Sequence, residues 1–407
     1  MIENHPPLLI AAEFPPNASG GGGAIVRQML KDWPVDRLFW WSCQPDRDKR
    51  FGQKVAAHRV ATIPPRLYPN RRFRSPKVWF LRHVWSRWAA HHFHSTLSLF
   101  KPEMVWVIPS SWSIPPLVNA LLPANLPFHV SVHDYADCND WVKPFGLAQA
   151  RRLQAQLELL YARATSRDGI YYPMIADLRA RTGRDAIGPV HAGLEKMDFE
   201  YLQTKTTGPG DQIRIAYTGT ISREENFAQF VQALAAVRPR FSKVVSLEIF
   251  SSHSYRDRPW FDATWMNERG NLAEPQFSVE LKKCAWGFVM MSLAEDDRSQ
   301  RFSLPTKFAS CMAAGLPVFA LGHPECSLIK AAQQYRVGAC ATSGEQEYLR
   351  AKVWEAFSLQ NPWEIFGPEI RRCAREEFDA VRIRQMLHQC FITGARGRQN
   401  KVPAAPA

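Results

Sequence analysis

Short apolar runs alternate with helically patterned stretches along almost the whole chain. The run at 7–14, Pro-Leu-Leu-Ile-Ala-Ala-Glu-Phe, predicts a buried strand, and a glycine loop at 20–23 follows it. A helix is expected over 24–33, with Ile25, Met29 and Leu30 on one face. Strand, glycine loop and helix together form the opening unit of a doubly wound sheet. Strands are predicted again at 38–42, 55–63, 104–108 and 128–132, with helices at 77–99 and 146–164. The polar segment 204–211, with Gly208-Pro209-Gly210, reads as a linker. After it the alternation restarts, with strands at 212–217, 244–250, 286–291 and 316–321 and helices at 226–237 and 306–314. The expected fold is α/β, with two Rossmann-like doubly wound domains, 1–203 and 212–370, and a cleft between them. Helices over 371–393 are expected to cross back to the first domain, and the Gly/Pro/Ala-rich stretch 394–407 to be disordered.

Length and composition agree with this division. A chain of 407 residues is long for one core and suits two domains. No apolar run approaches the roughly 20 residues of a membrane-spanning helix, and the first residues lack the pattern of a secretion signal. The eight cysteines are scattered with no pair at metal-ligand spacing, which points to a reducing cytoplasm rather than a disulfide scaffold. The net charge of +13 implies an anionic partner: nucleic acid, anionic lipid or a phosphorylated substrate.

Candidate chemistry sits where glycine turns meet strand ends. The loop Ser19-Gly-Gly-Gly-Gly23 places backbone amides at a helix start, an arrangement that suits a phosphate or serves as a ligand-free flexible loop. It lacks both the dinucleotide fingerprint and the P-loop lysine. Tyr217-Thr-Gly-Thr-Ile221 is a second strand end with a glycine turn. In the stretch from Ser303 to Val318, Pro305 fits a first helical turn, so the Thr306 and Lys307 amides, the Thr306 hydroxyl and the Lys307 ammonium could meet an anion; an isolated lysine is more often a solvated surface group. Arg66, Arg71, Arg72, Arg74, Lys77, Arg82 and Arg87 interleave with Tyr68, Phe73, Trp79, Phe80, Trp85 and Trp88. This suits either an anionic leaflet or an amphipathic helix packing Leu81, Trp85 and Trp88 on its own core. No nucleic-acid motif accompanies the charge, and none is expected as partner.

Taken in order, these pieces resemble the family-4 glycosyltransferases of GT-B fold, over roughly residues 8 to 390. Phe14-Pro-Pro with the glycine loop resembles the family's opening. His133-Asp134 resembles its His-Asp step, and Val190-His-Ala-Gly-Leu-Glu195 the entry to the second domain. Ile215 to Ile221 resembles that domain's first strand and turn, and Pro305 to Val318 a motif of bacterial surface-polysaccharide transferases. The resemblance implies a retaining transfer of sugar from a nucleoside-diphosphate sugar to a glycan or lipid-linked acceptor, without metal or other cofactor. It implies His133 and Asp134 as catalytic residues, with His133 bonding the transferred sugar. It implies a donor site of Gly21, Gly22, Gly23, Gly219, Thr220, Arg223, Asp297, Arg301, Thr306, Lys307 and Ser310. It also implies a cytoplasmic enzyme, peripheral on the inner face of the plasma membrane where residues 66–88 meet lipid.

The chain departs from the family pattern in several places. Ser310 stands where the family has its second carboxylate, Cys311 where it has tyrosine, and Phe302 where the first glutamate would fall. Glu295, Asp296 and Asp297 are the nearest acids. Thr220 and Glu225 replace the usual arginine and lysine, leaving Arg223, Arg298 and Arg301 as nearby cations. Two alternatives follow: a GT-B nucleotide-sugar epimerase, and a non-catalytic partner subunit that keeps the fold.

Overall fold

Apolar strands that alternate with amphipathic helices fold into two parallel sheets. The computed structural model describes residues 5–17, 21–45, 55–67, 73–137, 142, 144–206, 210 and 212–399. Ser19, Gly20, Tyr68, Arg71, Arg72, Cys138, Gly208 and Pro209 lie outside the described residues.

The first sheet contains β1 (Leu8–Ala12), β2 (Leu38–Ser42), β3 (Ala57–Val60), β4 (Met104–Ile108), β5 (Phe128–Val132) and β6 (Ser166–Gly169) in the order β3-β2-β1-β4-β5-β6. The second contains β7 (Gln212–Thr218), β8 (Val244–Phe250), β9 (Met266–Glu268), β10 (Trp286–Met290), β11 (Val318–Leu321) and β12 (Gly338–Ala341) in the order β12-β11-β10-β7-β8-β9. Every pairing is parallel. Both sheets therefore reverse strand order at one switch point, between β1 and β4 in the first and between β10 and β7 in the second. β1, β4, β5 and β10 are buried at every residue, because helices cover both faces of a parallel sheet.

The chain divides into two compact units, Met1–His191 with Val381–Ala407, and Ala192–Ala380. The segment expected to end the first domain is thus grouped with the second. Gly193 lies so close to Phe378 that an added Cβ would sit 2.7 Å from its carbonyl oxygen. A capping box of Glu195 and Asp198 starts the helix Lys196–Thr204. Lys205 then donates to the Ala314 and Gly315 carbonyls at 3.2 and 2.8 Å and lies over the Trp363 ring.

The last helix, Ala380–Gln399, is fastened to the first unit. Arg384 pairs with Asp32 at 2.7 Å, and His388 Nε2 donates to the Met29 carbonyl at 2.7 Å. The expectation of disorder from residue 394 is corrected for 394–399, which are helical. Gly394 there packs on Met104 and Ala395 is buried, so tertiary contact overrides the composition.

The helix read over 77–99 is observed as Arg74–Phe80, a π turn Leu81–Trp85 and Ser86–Phe100. Leu81, Trp85, Ala89 and Phe93 form its buried stripe at four-residue spacing. Trp88 does not join that stripe; it is 50% exposed. Among the described residues, no helix is long and apolar enough to cross a membrane.

Candidate functional site

In open parallel sheets, ligands bind beyond the strands' carboxyl ends at the switch point, where the flanking loops part. Both units place candidate residues there.

In the first unit, β1 leads into the helix Gly21–Met29. Gly21, Gly22 and Gly23 are therefore the helix's first turn rather than a loop, which corrects the sequence reading. First-turn amides have no intrahelical acceptor, so the phosphate-binding argument survives the change. β5 ends one residue before His133, whose Nδ1 lies 3.5 Å from where a Cβ on Gly22 would stand. Gly22 thus fits between the His133 imidazole and the Phe14 ring. Burial holds the His133 pKa below its ordinary value, with the Asp168 carboxylate opposing, so the ring is neutral at pH 7. Asp134 is exposed beside it, and the next residue, Tyr135, is buried and donates to Asp177 at 2.6 Å.

Two residues at this edge escaped the sequence reading. Glu13 follows β1 directly, is buried, and accepts from Gln44 Nε2 at 3.3 Å. Ser111 follows β4 in the left-handed backbone region, at φ 43°, with its hydroxyl buried and unpartnered among the described residues. Strained backbone of this kind clusters at functional sites. The Ser110-Ser-Trp-Ser113 cluster after an apolar run was the available signal.

In the second unit, β7 ends at Thr218 and the chain turns at Gly219, whose φ of 80° requires glycine. The helix Glu224–Val237 follows. Loops from β7 and β10 then lock across the switch point. Arg223 holds the buried Asp297 carboxylate with Nε at 3.0 Å and a terminal nitrogen at 2.5 Å, and Asn226 Nδ2 donates to the Met291 carbonyl at 3.3 Å. Asp297 is therefore committed to an ion pair. Arg301 belongs to the short helix Arg298–Phe302 and lies 5.8 Å from the Phe302 ring.

Lys307 lies over the glycine turn. Its ammonium donates to Tyr217 Oη at 2.5 Å and to the Thr220 carbonyl at 3.0 Å, and sits 4.1 Å from the Tyr217 ring centre. Its Cε would be 3.3 Å from a Cβ on Gly219. Burial pushes the Lys307 pKa down to about 7, because little near it compensates the charge. An arriving phosphate would supply that missing counter-charge. Pro305 is the N-cap of the helix Thr306–Ala313 rather than a first-turn residue; its carbonyl accepts from the Phe308 amide at 2.9 Å, so the helix-start amides left for an anion are those of Thr306 and Lys307. Ser310 turns its hydroxyl to the Thr306 carbonyl at 3.3 Å.

The structure thus brings Gly22 together with His133 in one unit, and Gly219 and Thr220 together with Lys307 in the other. Arg223 and Asp297 form a pair. Among the described residues, no group of three or more His, Cys, Asp and Glu is arranged to hold a metal ion. A cavity of 510 Å³ near Phe128 and Ser166 and one of 540 Å³ near Gly338 open at the opposite strand ends and contain none of these residues.

Comparison with solved structures identifies the fold. Sucrose-phosphate synthase from Thermosynechococcus elongatus superposes with a TM-score of 0.68 at 12% identity, covering 95% of this chain and 98% of that one. The fold is GT-B-like. An α,α-trehalose-phosphate synthase (UDP-forming) from Burkholderia xenovorans, in complex with glucose-6-phosphate, gives 0.61 at 13% identity, covering 96% of this chain and 100% of that one. The S. aureus MnaA–UDP co-structure gives 0.54 at 12% identity, covering 98% of each chain. No protein-family model matches the sequence, nor does any curated protein. At such identity the GT-B-like likeness speaks for architecture, and the site residues have to carry the chemistry.

Proposed function

We propose that the chain is a glycosyltransferase that moves a sugar, with retention, from a nucleoside-diphosphate sugar to a glycan or lipid-linked acceptor. The carrying observation is Lys307, an ammonium with little compensating charge near it, held over the Gly219 turn beside the Thr306 and Lys307 amides of a helix start at a sheet switch point. In this reading, the second unit neutralises the donor's diphosphate with Lys307 and the amides of Thr306 and Lys307, as a preorganised cation and dipole set does for a leaving anion. In the first unit, the neutral His133 is a hydrogen-bonding group suited to a sugar, and the first-turn amides of Gly21, Gly22 and Gly23 are suited to a phosphate. The GT-B-like co-structure of S. aureus MnaA with UDP and the UDP-forming trehalose-phosphate synthase support the choice of donor class.

One observation favours a second reading, a binding subunit without turnover. Ser310 replaces a carboxylate and bonds its own helix, and Asp297 is tied to Arg223. The deciding experiment is a thermal-shift screen with UDP, GDP, ADP and CMP and their sugars, followed by turnover with the best binder. A ligand at 100 times its Kd raises native stability by about 2.7 kcal/mol. A shift with turnover supports the transferase, and a shift without donor consumption supports the binding subunit. No shift with any nucleotide overturns both.

A further inference from the structure

From Lys49 to Lys101 the sequence has twelve Lys and Arg, five His and no Asp or Glu. A helical segment, Arg74–Phe100, runs through the described part of this stretch. Its inner side is closed by Leu81, Trp85, Ala89 and Phe93, and Trp85 Nε1 donates to the Thr62 carbonyl at 3.3 Å. Those rings are spent on the core.

The outer side is different. Phe73 is 70% exposed, Trp79 60%, Val84 44% and Trp88 50%. Trp79, Val84 and Trp88 are five and four residues apart, and the π turn Leu81–Trp85 makes the wider step one helical turn. The Trp79 ring rests on His83 at 5.4 Å and the Trp88 ring on His92 at 5.6 Å, so both indoles are backed on one side and open on the other. Arg66, in the short helix Pro65–Leu67, and Arg74 and Arg87, in this helical segment, are exposed as well.

We propose that this face docks on an anionic lipid bilayer, with Trp79 and Trp88 at the headgroup level and Arg66, Arg74 and Arg87 against lipid phosphates. Three features select this occupant. Exposed tryptophans with one apolar and one polar side are suited to a membrane interface. A stretch with no acid is complementary to an anionic leaflet and meets no local repulsion there. Single-stranded nucleic acid would need a charged groove that tracks its backbone, whereas these rings stand on the outer side of a helix and neither cavity described above is lined by it. The proposal does not depend on the donor chemistry.

The test is co-sedimentation of the full chain with phosphatidylcholine vesicles containing no or 30% phosphatidylglycerol, at low and high salt. Binding is expected with the anionic vesicles alone and is expected to fall as salt rises, since screening weakens surface attraction. Each cation removed costs roughly fivefold in partitioning, so Arg66→Gln, Arg74→Gln and Arg87→Gln together should lose roughly a hundredfold. Trp79→Ala with Trp88→Ala should lose binding to the same vesicles while circular dichroism stays that of the wild type. Failure of the wild type to bind at low salt overturns the proposal. So does binding that neither variant weakens, or binding to oligo(dT) that displaces the vesicles from the same face.

Discussion

Replacing Lys307 by methionine removes the ammonium while keeping most of its volume. In the free protein this group bonds Tyr217 Oη and the Thr220 carbonyl, and burial has lowered its pKa to about 7. A charge-assisted hydrogen bond to a phosphate contributes about 1.5–3 kcal/mol, so UDP affinity should fall roughly tenfold to hundredfold. The pH dependence tests the mechanism more sharply. A bound diphosphate favours the protonated lysine, so wild-type affinity should fall as pH rises from 7 to 9, by up to about tenfold per pH unit. The ligand's own phosphate is already ionised there, with a second pKa of about 6. The methionine variant should show no such slope. Stability should move the other way. A lysine with a lowered folded pKa is protonated in the unfolded chain between pH 7 and its ordinary value, so wild-type stability rises with pH through that window. The variant should gain most over the wild type near pH 7 and least near pH 10. Calorimetric titration and thermal melts at three pH values measure both effects. Unchanged affinity, or equal slopes in the two proteins, would refute the assignment of Lys307 to a phosphate.

Other predictions follow from neighbouring groups. His133→Ala should lower turnover roughly tenfold or more, through loss of a hydrogen bond to the reacting sugar, while UDP affinity measured by calorimetry stays the same. Arg223→Ala leaves Asp297 buried without its cation and should cost about 3–5 kcal/mol, read as a fall in Tm that Asp297→Ala on the same chain partly restores. His388, buried and donating to Met29, has its pKa pushed down to about 4. The unfolded chain therefore takes up a proton first as pH falls below about 6.5, and stability should drop by about 2 kcal/mol between pH 7 and 5. The glutamine variant should flatten that decline in denaturant titrations, and an unaltered decline would remove His388 as its cause.

How far the sequence could be read depended on how local each signal was. β1, β4 and β10 were legible because strands covered on both faces are written as unbroken apolar runs, and β5, β7 and β8 because only single polar residues interrupt a mostly apolar run. β6, written Ser-Arg-Asp-Gly, was not. Its Asp168 is buried, its Oδ2 accepts across the sheet from His129 Nε2 at 2.7 Å and Ser131 Oγ at 2.6 Å, and no local pattern announces a cross-strand partner. β12, written Gly-Ala-Cys-Ala, was missed because its half-buried edge position calls for little apolar bulk.

For the site, spacing alone pointed to the two glycine turns and the helix start at Pro305, because phosphate sites use glycine and helix-start chemistry that is local in sequence, whereas His133 entered through the family resemblance and Lys307 by itself reads as a surface lysine. Spacing could not decide which charges remain available. Asp297 meets Arg223 across 74 residues, and Ser111 adopts a left-handed backbone three residues after β4. The sequence by itself determined two doubly wound units and a basic, tryptophan-rich segment, since periodicity and composition are properties of the chain. Only the tertiary structure decided that Trp85 is core while Trp79 and Trp88 face outward, that residues 394–399 continue a helix, and that burial over Tyr217 lowers the Lys307 pKa to about 7. Each of those outcomes depends on burial among residues distant in sequence, and burial sets both the exposure of a ring and the charge of an ammonium.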